Sequence, residues 1–237
     1  MAASTKAPAD RARTFKALGV LLSYPSSEVA DVAPAAVEAI AGEGLLPTAL
    51  VKQLTLLAIE LATEDRFDLE GRYHQLFDRS RSLSLNLFEH IHGESRDRGQ
   101  AMVELMGLYD QHGYQLAARE LPDFLPLFLE FLSSRPVDEA RALLGEAGHV
   151  VAALAERLKK RRSPYQWPML ALAHLASEAD PAALQSLLAQ TEDDPDDLEE
   201  LDRIWAEEAV AFGPGSQGAT DGCPRAATMV DNMMKGA

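Results

Sequence analysis

Cysteine is almost absent from this chain of 237 residues, in which Cys223 is the only one. A single thiol excludes a disulfide within the chain, and it excludes a cysteine-rich zinc site built by one copy of the protein. Scarcity of cysteine is also typical of proteins that work in a reducing compartment. We therefore expect a cytoplasmic protein.

Long apolar runs are missing as well. The most apolar run, residues 124–132, spans nine positions and contains Glu130, whereas a membrane-spanning helix needs about 20 apolar residues. The N-terminal residues MAASTKAPADRART contain no apolar stretch of the kind found in a secretory signal. Both absences predict a soluble protein without direct membrane insertion.

Basic residues are outnumbered by acidic ones. Lys and Arg total 22 against 37 Asp and Glu, which gives a formal net charge of -15. An acidic chain repels a phosphate backbone, so nucleic acid is not an expected partner, and charge complementarity favours basic partners instead. Residues 178–208 hold twelve acidic side chains and one basic one, and we interpret them as a solvated surface that steers partners from a distance.

Leucine and alanine dominate the composition and β-branched residues are few, which favours helix over strand. Apolar residues at helical spacing predict an all-α fold, a single globular helical bundle of roughly nine or ten helices over residues 11–212. A flexible N-terminus (1–10) and a mobile C-terminal tail (213–237) flank it. The predicted helices cover residues 11–22, 27–41, 47–63, 65–77, 95–112, 121–133, 138–162, 164–177, 181–189 and 195–212. Helix 121–133 is apolar on nearly all sides and is expected in the middle of the fold.

Residues 78–94 carry a different pattern. Leu83, Leu85 and Leu87 alternate with polar residues, which is the period-2 signal of a β-strand. A lone strand has nothing to pair with in an otherwise helical chain. We therefore interpret this segment as a loop that leads into a short helix near residues 87–91.

The most unusual stretch is FEHIHGESRDRG at residues 88–99, which contains two histidines, three acidic residues and two arginines. Imidazole and carboxylate groups are common metal ligands, so His90 and His92 with Glu89 or Glu94 could bind a metal ion. The spacing argues against this, because side chains at i and i+2 of a helix point to different faces. A polar network or a partner-binding loop is the better interpretation.

The same stretch also has a purely structural interpretation. Ser95 is placed to cap the following helix, with Asp97 near the positive end of its dipole. Two arginines are then within reach of three glutamates, the residues being Arg96, Arg98, Glu89, Glu94 and Glu104. Capping and pairing account for many of these charges. Capping and pairing do not explain why these charged residues lie beside so many apolar ones.

Residues 119–126, RELPDFLP, predict the first turn of a helix with acidic residues at its positive end. They also fit the mouth of a groove whose acidic edge meets a basic peptide. Elsewhere the chain contains no Gly-x-Ser-x-Gly nucleophile elbow and no glycine-rich phosphate loop. The residues therefore offer no recognisable nucleophilic or phosphate-binding site.

Three strings carry a resemblance to a known family. They are YHQLFDR at 73–79, LFEHIHGESRDRGQAMVEL at 87–105 and RELPDFLPLFLEFL at 119–132. Together they closely resemble the NarJ-type assembly chaperones, also called the nitrate reductase delta-subunit family, which belong to a wider group of chaperones for molybdenum enzymes. The resemblance covers roughly residues 15–212 and is strongest over 73–132.

The resemblance implies an all-helical cytoplasmic protein that is not a catalyst and holds no cofactor of its own. Such proteins bind the immature, apo form of the molybdenum-containing catalytic subunit of respiratory nitrate reductase. They hold its N-terminal segment, keep it competent for insertion of the molybdenum cofactor and assist iron–sulfur maturation before the complex docks on its membrane subunit. Cofactor-delivery proteins are possible further partners.

The resemblance also implies site residues. In the wider group a Glu-x-Pro-Asp-His signature helps to line the peptide groove, and this chain matches it at Glu120, Pro122 and Asp123, while Phe124 replaces the histidine with an apolar ring. The predicted client-peptide-binding residues are Tyr73, Leu76, Phe77, Glu89, His90, His92, Glu94, Arg96, Asp97, Arg98, Met102, Met106, Glu120, Pro122, Asp123, Phe124, Leu125 and Phe128. No catalytic or metal-binding residue is predicted. The competing hypotheses are a metal-dependent enzyme that uses His90, His92 and Glu94, and a permanent structural subunit of a membrane reductase.

Overall fold

A computed structural model describes residues 13–92, 96–116, 120–176 and 180–190. Within these ranges the protein has eleven α-helices and no β-strand, so the predicted all-α fold is confirmed. The helices are α1 (Arg13–Leu22), α2 (Ser27–Glu43), α3 (Thr48–Thr63), α4 (Arg66–Tyr73), α5 (Leu87–His92), α6 (Arg96–Gln111), α7 (Leu125–Ser133), α8 (Val137–Glu146), α9 (Gly148–Lys160), α10 (Gln166–Leu175) and α11 (Pro181–Leu188). A π-helical turn, His74–Asp78, continues α4, and a 3₁₀ turn, Arg81–Leu83, follows it. Among the described helices, none is both long and apolar enough to cross a membrane.

The centre of the fold is formed by α1 and α7, which pack closely against each other. Seven of the nine residues of α7 are buried, as expected for a helix that is apolar on nearly all sides. The contact is tight at Gly19 of α1, where an added Cβ would lie 3.1 Å from the carbonyl oxygen of Pro126. Helix α1 also packs on α2 and on α10, so that it is covered on several sides.

Helix α2 ends later than the sequence indicated. The sequence predicts a helix over residues 27–41, but the helix continues to Glu43 and Gly44 closes it. Gly44 adopts a left-handed conformation with φ 67°, and its N–H donates to the carbonyl of Ile40. Glycine adopts this conformation at little cost, so the residue that can make the turn sets the end of the helix.

The predicted single helix over residues 138–162 is wrong, because the structure divides it into α8 and α9 at Ala147. The N–H of Ala147 donates to the carbonyl of Leu144 at 3.1 Å, a tightened i→i−3 bond that interrupts the α-helical ladder. Gly145 and Gly148 flank the break, and glycine is a poor helix former.

The alternating segment before α5 does have a partner. Asn86 forms an isolated antiparallel bridge with Phe124, and the N–H of Leu125 donates to the carbonyl of Leu85 at 2.9 Å. The expectation that an extended segment has nothing to pair with is therefore wrong. The predicted short helix is confirmed as α5.

The same pairing delays the start of α7. The predicted helix began at residue 121 with Pro122 in its first turn, whereas the observed helix begins at Leu125 and has Pro126 in that place. Residues 120–124 form bends and turns up to the bridge residue Phe124, and the Asp123 carbonyl and the Leu125 N–H are bonded to Leu87 and Leu85. The predicted helix 195–212 and both predicted flexible ends, 1–10 and 213–237, lie outside the described residues.

Candidate binding groove

An apolar groove of about 250 Å³ lies between α5, α6, α7 and the junction of α8 with α9. The residues that line it are Leu87, Phe88, Ile91, Leu105, Leu108, Phe128, Leu143, Glu146 and Ala147. We call this the binding groove. Its apolar walls face solvent in part, since the side chain of Ile91 is 41% exposed. Exposed apolar surface in a concave site is typical of a binding surface.

The α5 wall of the groove is held in place by the buried Asp123. Its carboxylate Oδ2 accepts a hydrogen bond from the backbone N–H of Phe88 at 3.0 Å, in the first turn of α5. Its backbone carbonyl accepts from the N–H of Leu87 at 3.1 Å. Two of the N–H groups that a short helix leaves unpaired at its start are thus satisfied by one residue.

Asp123 is a charged group in an apolar setting. Burial raises the pKa of the Asp123 carboxyl, while the Phe88 N–H and the Arg98 guanidinium oppose that shift. Arg98 bridges two acids, since its Nη1 lies 3.3 Å from Glu89 Oε1 and its Nη2 lies 4.0 Å from Asp123 Oδ2. Within the described part of the chain, Oδ1 of Asp123 has no hydrogen-bond partner. The predicted pairing of Arg98 with Glu89 is present.

The α6 wall is attached to the same turn by a tyrosine. The hydroxyl of the buried Tyr109 donates to the carbonyl of Pro122 at 2.7 Å. This places Leu105 and Leu108 against the groove. Val103 of α6, which is not among the residues that line the groove, is 62% exposed. Helix α6 therefore presents apolar side chains both to the groove and to solvent.

His90 takes part in the local structure. Its Nε2 lies 2.8 Å from the carbonyl oxygen of Ser84, which can only accept, so Nε2 carries the proton. Burial lowers the pKa of His90, and the Ser84 carbonyl opposes that shift. The ring of His92 packs edge-on against Phe88 with centroids 5.7 Å apart. Among the described residues, no three His, Cys, Asp or Glu side chains gather into a possible metal site, and Glu94 is not among those described.

Two predicted client-binding residues lie in the core, away from the groove. Tyr73 donates through its hydroxyl to the carbonyl of Leu22 at 2.9 Å, and its ring lies 4.8 Å from that of Phe77. Both rings also pack on Tyr165. Leu76 is half-buried against the core. These residues therefore contribute to the hydrophobic core of the fold.

The remaining predicted residues are distributed around the groove. Phe128 lines it, Leu125 is fully buried beneath it and Phe124 is half-buried. Pro122 is buried, whereas Glu120 and Asp97 are exposed. On α6, Met102 is half-buried and Met106 exposed; the side chain of Arg96 is outside the described residues.

Sequence reasoning missed most of the groove lining. The spacing of Leu87 and Ile91 on one helix, and of Leu105 and Leu108 on the next, is that of residues sharing a helical face and could have indicated two walls. Leu143 and Glu146 come from a helix that was predicted to continue past them. Their place in the groove lining becomes visible only once α8 is seen to end at Glu146, next to Ala147.

A second concave surface lies between α2 and α3, with a volume of about 280 Å³. We call it the α2–α3 groove, and its lining residues are Pro34, Val37, Glu38, Ala41, Val51, Thr55, Ala58 and Ile59. Like the binding groove, it combines apolar residues with one glutamate. It contains none of the predicted site residues.

Comparison with known proteins places these features in a family. The family model described as nitrate reductase delta subunit matches residues 43–170. The nitrate reductase molybdenum cofactor assembly chaperone NarJ of Escherichia coli is 43% identical over 195 residues, which cover 81% of each chain. A protein of the same organism named as the probable nitrate reductase molybdenum cofactor assembly chaperone NarW is 36% identical over 210 residues, 89% of this chain and 88% of the relative. A probable chaperone NarJ of Bacillus subtilis is 32% identical over 160 residues, 66% of this chain and 84% of the relative.

Proposed function

The chain belongs to the nitrate reductase delta-subunit family, and from that premise we propose that it is a system-specific assembly chaperone for nitrate reductase. Its partner is the catalytic subunit in its apo form, before the molybdenum cofactor is inserted. The protein works by binding rather than by catalysis. It acts in the cytoplasm, where cofactor-delivery proteins reach the bound subunit.

The observation that carries this proposal is the binding groove itself. A volume of about 250 Å³ holds a few apolar side chains and not a whole helix. An amphipathic segment of the client can therefore lie across the groove and insert the apolar residues of one face, as in other helix-in-groove complexes. The N-terminal segment of the catalytic subunit is the part that we propose to bind in this way.

The contact extends beyond the groove. Val103 and Met106 of α6 and the nearby Leu121 are all exposed apolar side chains. A methionine adapts its shape to different neighbours, which suits a surface that must accept and then release a client. We propose that this apolar rim contacts the residues of the client that follow its anchored segment.

Asp123 and Arg98 contribute to client binding by holding the groove wall in place. Asp123 is buried and Arg98 is mostly covered, so neither offers much surface to a client. Asp123 fixes the start of α5, and Arg98 joins Glu89 of α5 to the same turn. We propose that these residues keep Phe88 and Ile91 at the wall of the groove.

A calorimetric titration with a synthetic peptide tests this proposal. The peptide copies the N-terminal segment of the catalytic subunit encoded by the same organism. Ile91→Asp places a carboxylate in the groove and is expected to weaken binding about tenfold or more, because an unpaired charge on an apolar contact loses its hydration. Ile91 is partly exposed, so the variant is expected to fold, which circular dichroism verifies.

Ile59→Asp is the matched control. Ile59 is an exposed isoleucine of the α2–α3 groove (52% exposed, against 41% for Ile91), and its replacement is expected to leave binding unchanged. Equal losses for both variants would show that the binding groove is not the site. Absence of heat with the folded wild-type protein would overturn peptide binding altogether.

A second candidate function follows from the family description, which calls these proteins a subunit. A permanent subunit remains with the mature, membrane-bound enzyme, whereas a chaperone leaves it. Affinity capture from cells blocked in molybdenum cofactor synthesis separates the two. An assembly chaperone captures abundant apo catalytic subunit there and is absent from the purified mature complex.

A further inference from the structure

Glu146 is the only charged residue among the nine that line the binding groove. It ends α8 and precedes Ala147, where the chain turns into α9. Within the described part of the chain, its carboxylate forms no hydrogen bond and no ion pair. A solvated surface glutamate needs no explanation, but a carboxylate at the edge of an apolar site adds charge where all other groups are neutral.

Two other carboxylates on the helices around the groove are already paired. Glu89 lies 3.3 Å from the guanidinium of Arg98. Glu139, on the same helix as Glu146, lies 3.4 Å from Nε2 of His112. Glu146 is therefore the carboxylate of the groove lining that is left for an external partner.

The setting strengthens its attraction for a cation. A charge pair next to apolar walls is screened less than a pair in open water, because part of the surrounding medium has a low dielectric constant. When a client covers the groove, water is removed from around Glu146, and an unpaired carboxylate there would lose hydration without compensation. A client that offers a cation at this point avoids that loss.

We propose that Glu146 determines client specificity by binding a Lys or Arg side chain of the client segment, and this rests on the proposed function of the groove. Leu143 and Glu146 are three residues apart on α8, so they lie on one face of that helix about one turn apart. The matching client carries an apolar anchor against Leu143 and a basic residue three or four positions from it. An otherwise similar segment with Glu or Asp at that position is rejected.

The test is a double-mutant cycle with the peptide described above. Glu146→Gln keeps the shape of the side chain and removes its charge, and it is expected to weaken binding about fivefold, the upper range for a partly exposed ion pair. The loss shrinks at high salt, since screening acts on the pair. In the peptide, each Lys and Arg is replaced in turn by the neutral norleucine or citrulline. One replacement is expected to weaken binding to the wild-type protein and to have no further effect on Glu146→Gln.

Glu38→Gln is the matched control, because Glu38 is the one glutamate that lines the α2–α3 groove. Its affinity for the peptide is expected to equal that of the wild type. If the wild-type protein binds the peptide and Glu146→Gln binds it equally well, this inference is overturned while the proposed function stands. If the wild-type protein does not bind, the proposed function fails and this inference with it.

Discussion

The carboxylate of Asp123 accepts a hydrogen bond from the backbone N–H of Phe88 across 35 positions of the chain. The bond joins the turn before α7 to the first turn of α5. It is therefore the point where the wall of the binding groove is fixed to the core. The same Asp123 lies in the segment that carries the family resemblance, so its position in the motif has a structural explanation.

Replacement of Asp123 tests this explanation. Asp123→Ala leaves the N–H of Phe88 without its acceptor in a buried setting, and the expected loss of unfolding free energy is about 2 kcal/mol. Asp123→Asn retains an oxygen that can accept the same bond and is expected to lose clearly less. Urea unfolding followed by circular dichroism measures both, and equal losses would mean that the charge matters and the hydrogen bond does not.

The stability that Asp123 contributes is expected to fall as pH rises, as for a buried acid whose pKa is raised. Burial raises the pKa of Asp123 in the folded protein, so from about pH 4 upward the unfolded chain gives up this proton before the folded protein does. The stability contributed by Asp123 is thus full at lower pH and is lost as pH rises through the folded pKa. We compare the unfolding free energies of the wild type and of Asp123→Asn between pH 4 and 7, and that of the wild type is expected to fall relative to the variant as pH rises. A difference in unfolding free energy that stays constant with pH would contradict this prediction.

A pair of glycine variants tests the close contact of α1 with α7. Gly71→Ala meets no atom within 4 Å and is expected to stabilise α4 by about 0.5–1 kcal/mol through helix propensity. Gly19→Ala brings its Cβ to 3.1 Å from the Pro126 carbonyl oxygen, and backbone cannot move aside cheaply. Overpacking of this kind costs about 1–3 kcal/mol, so a net loss is expected. Thermal unfolding compares the two, and a gain at Gly19 equal to that at Gly71 would show that the helices separate easily.

A substitution at Tyr73 tests whether this residue contacts the client or only stabilises the fold. Tyr73→Phe removes the hydroxyl that donates to the carbonyl of Leu22, at an expected cost of about 1 kcal/mol. The ring remains packed on Phe77 and Tyr165, so peptide affinity is expected to stay at the wild-type value. A stable variant with weakened peptide binding would place Tyr73 in contact with the client after all.

Much of the fold could be predicted from periodicity, because a stripe of leucines reflects local helical geometry. The helix ends at Leu22 and near Thr63, and the central position of α7, followed from residues close together in the chain. The bridge between Asn86 and Phe124 could not be predicted in this way. It depends on two segments that meet only after the helices between them have formed.

The candidate site shows the same division. The segment around Asp123 could be selected by its resemblance and by its charges among apolar residues. Glu146 could not be selected in this way. The sequence predicts one continuous helix through this position, whereas the structure ends α8 at Glu146 and begins α9 at Gly148. Tyr73 and Phe77 stand in a characteristic motif, yet their neighbours in space are Leu22 and Tyr165. A local pattern marks a residue as constrained, but only the packing shows whether the constraint comes from the core or from a partner.

The pairing of the segment before α5 with the turn before α7 has a consequence for the order of folding. Long-range contacts form only after the intervening chain has been synthesised and its loop entropy has been overcome. Helices α5 and α6 are made before α7 leaves the ribosome, but the hydrogen bonds that fix α5 come from Asp123 and Leu125. The groove consequently cannot form until residues 123–125 and the junction at Ala147 have been synthesised and have folded onto α5 and α6.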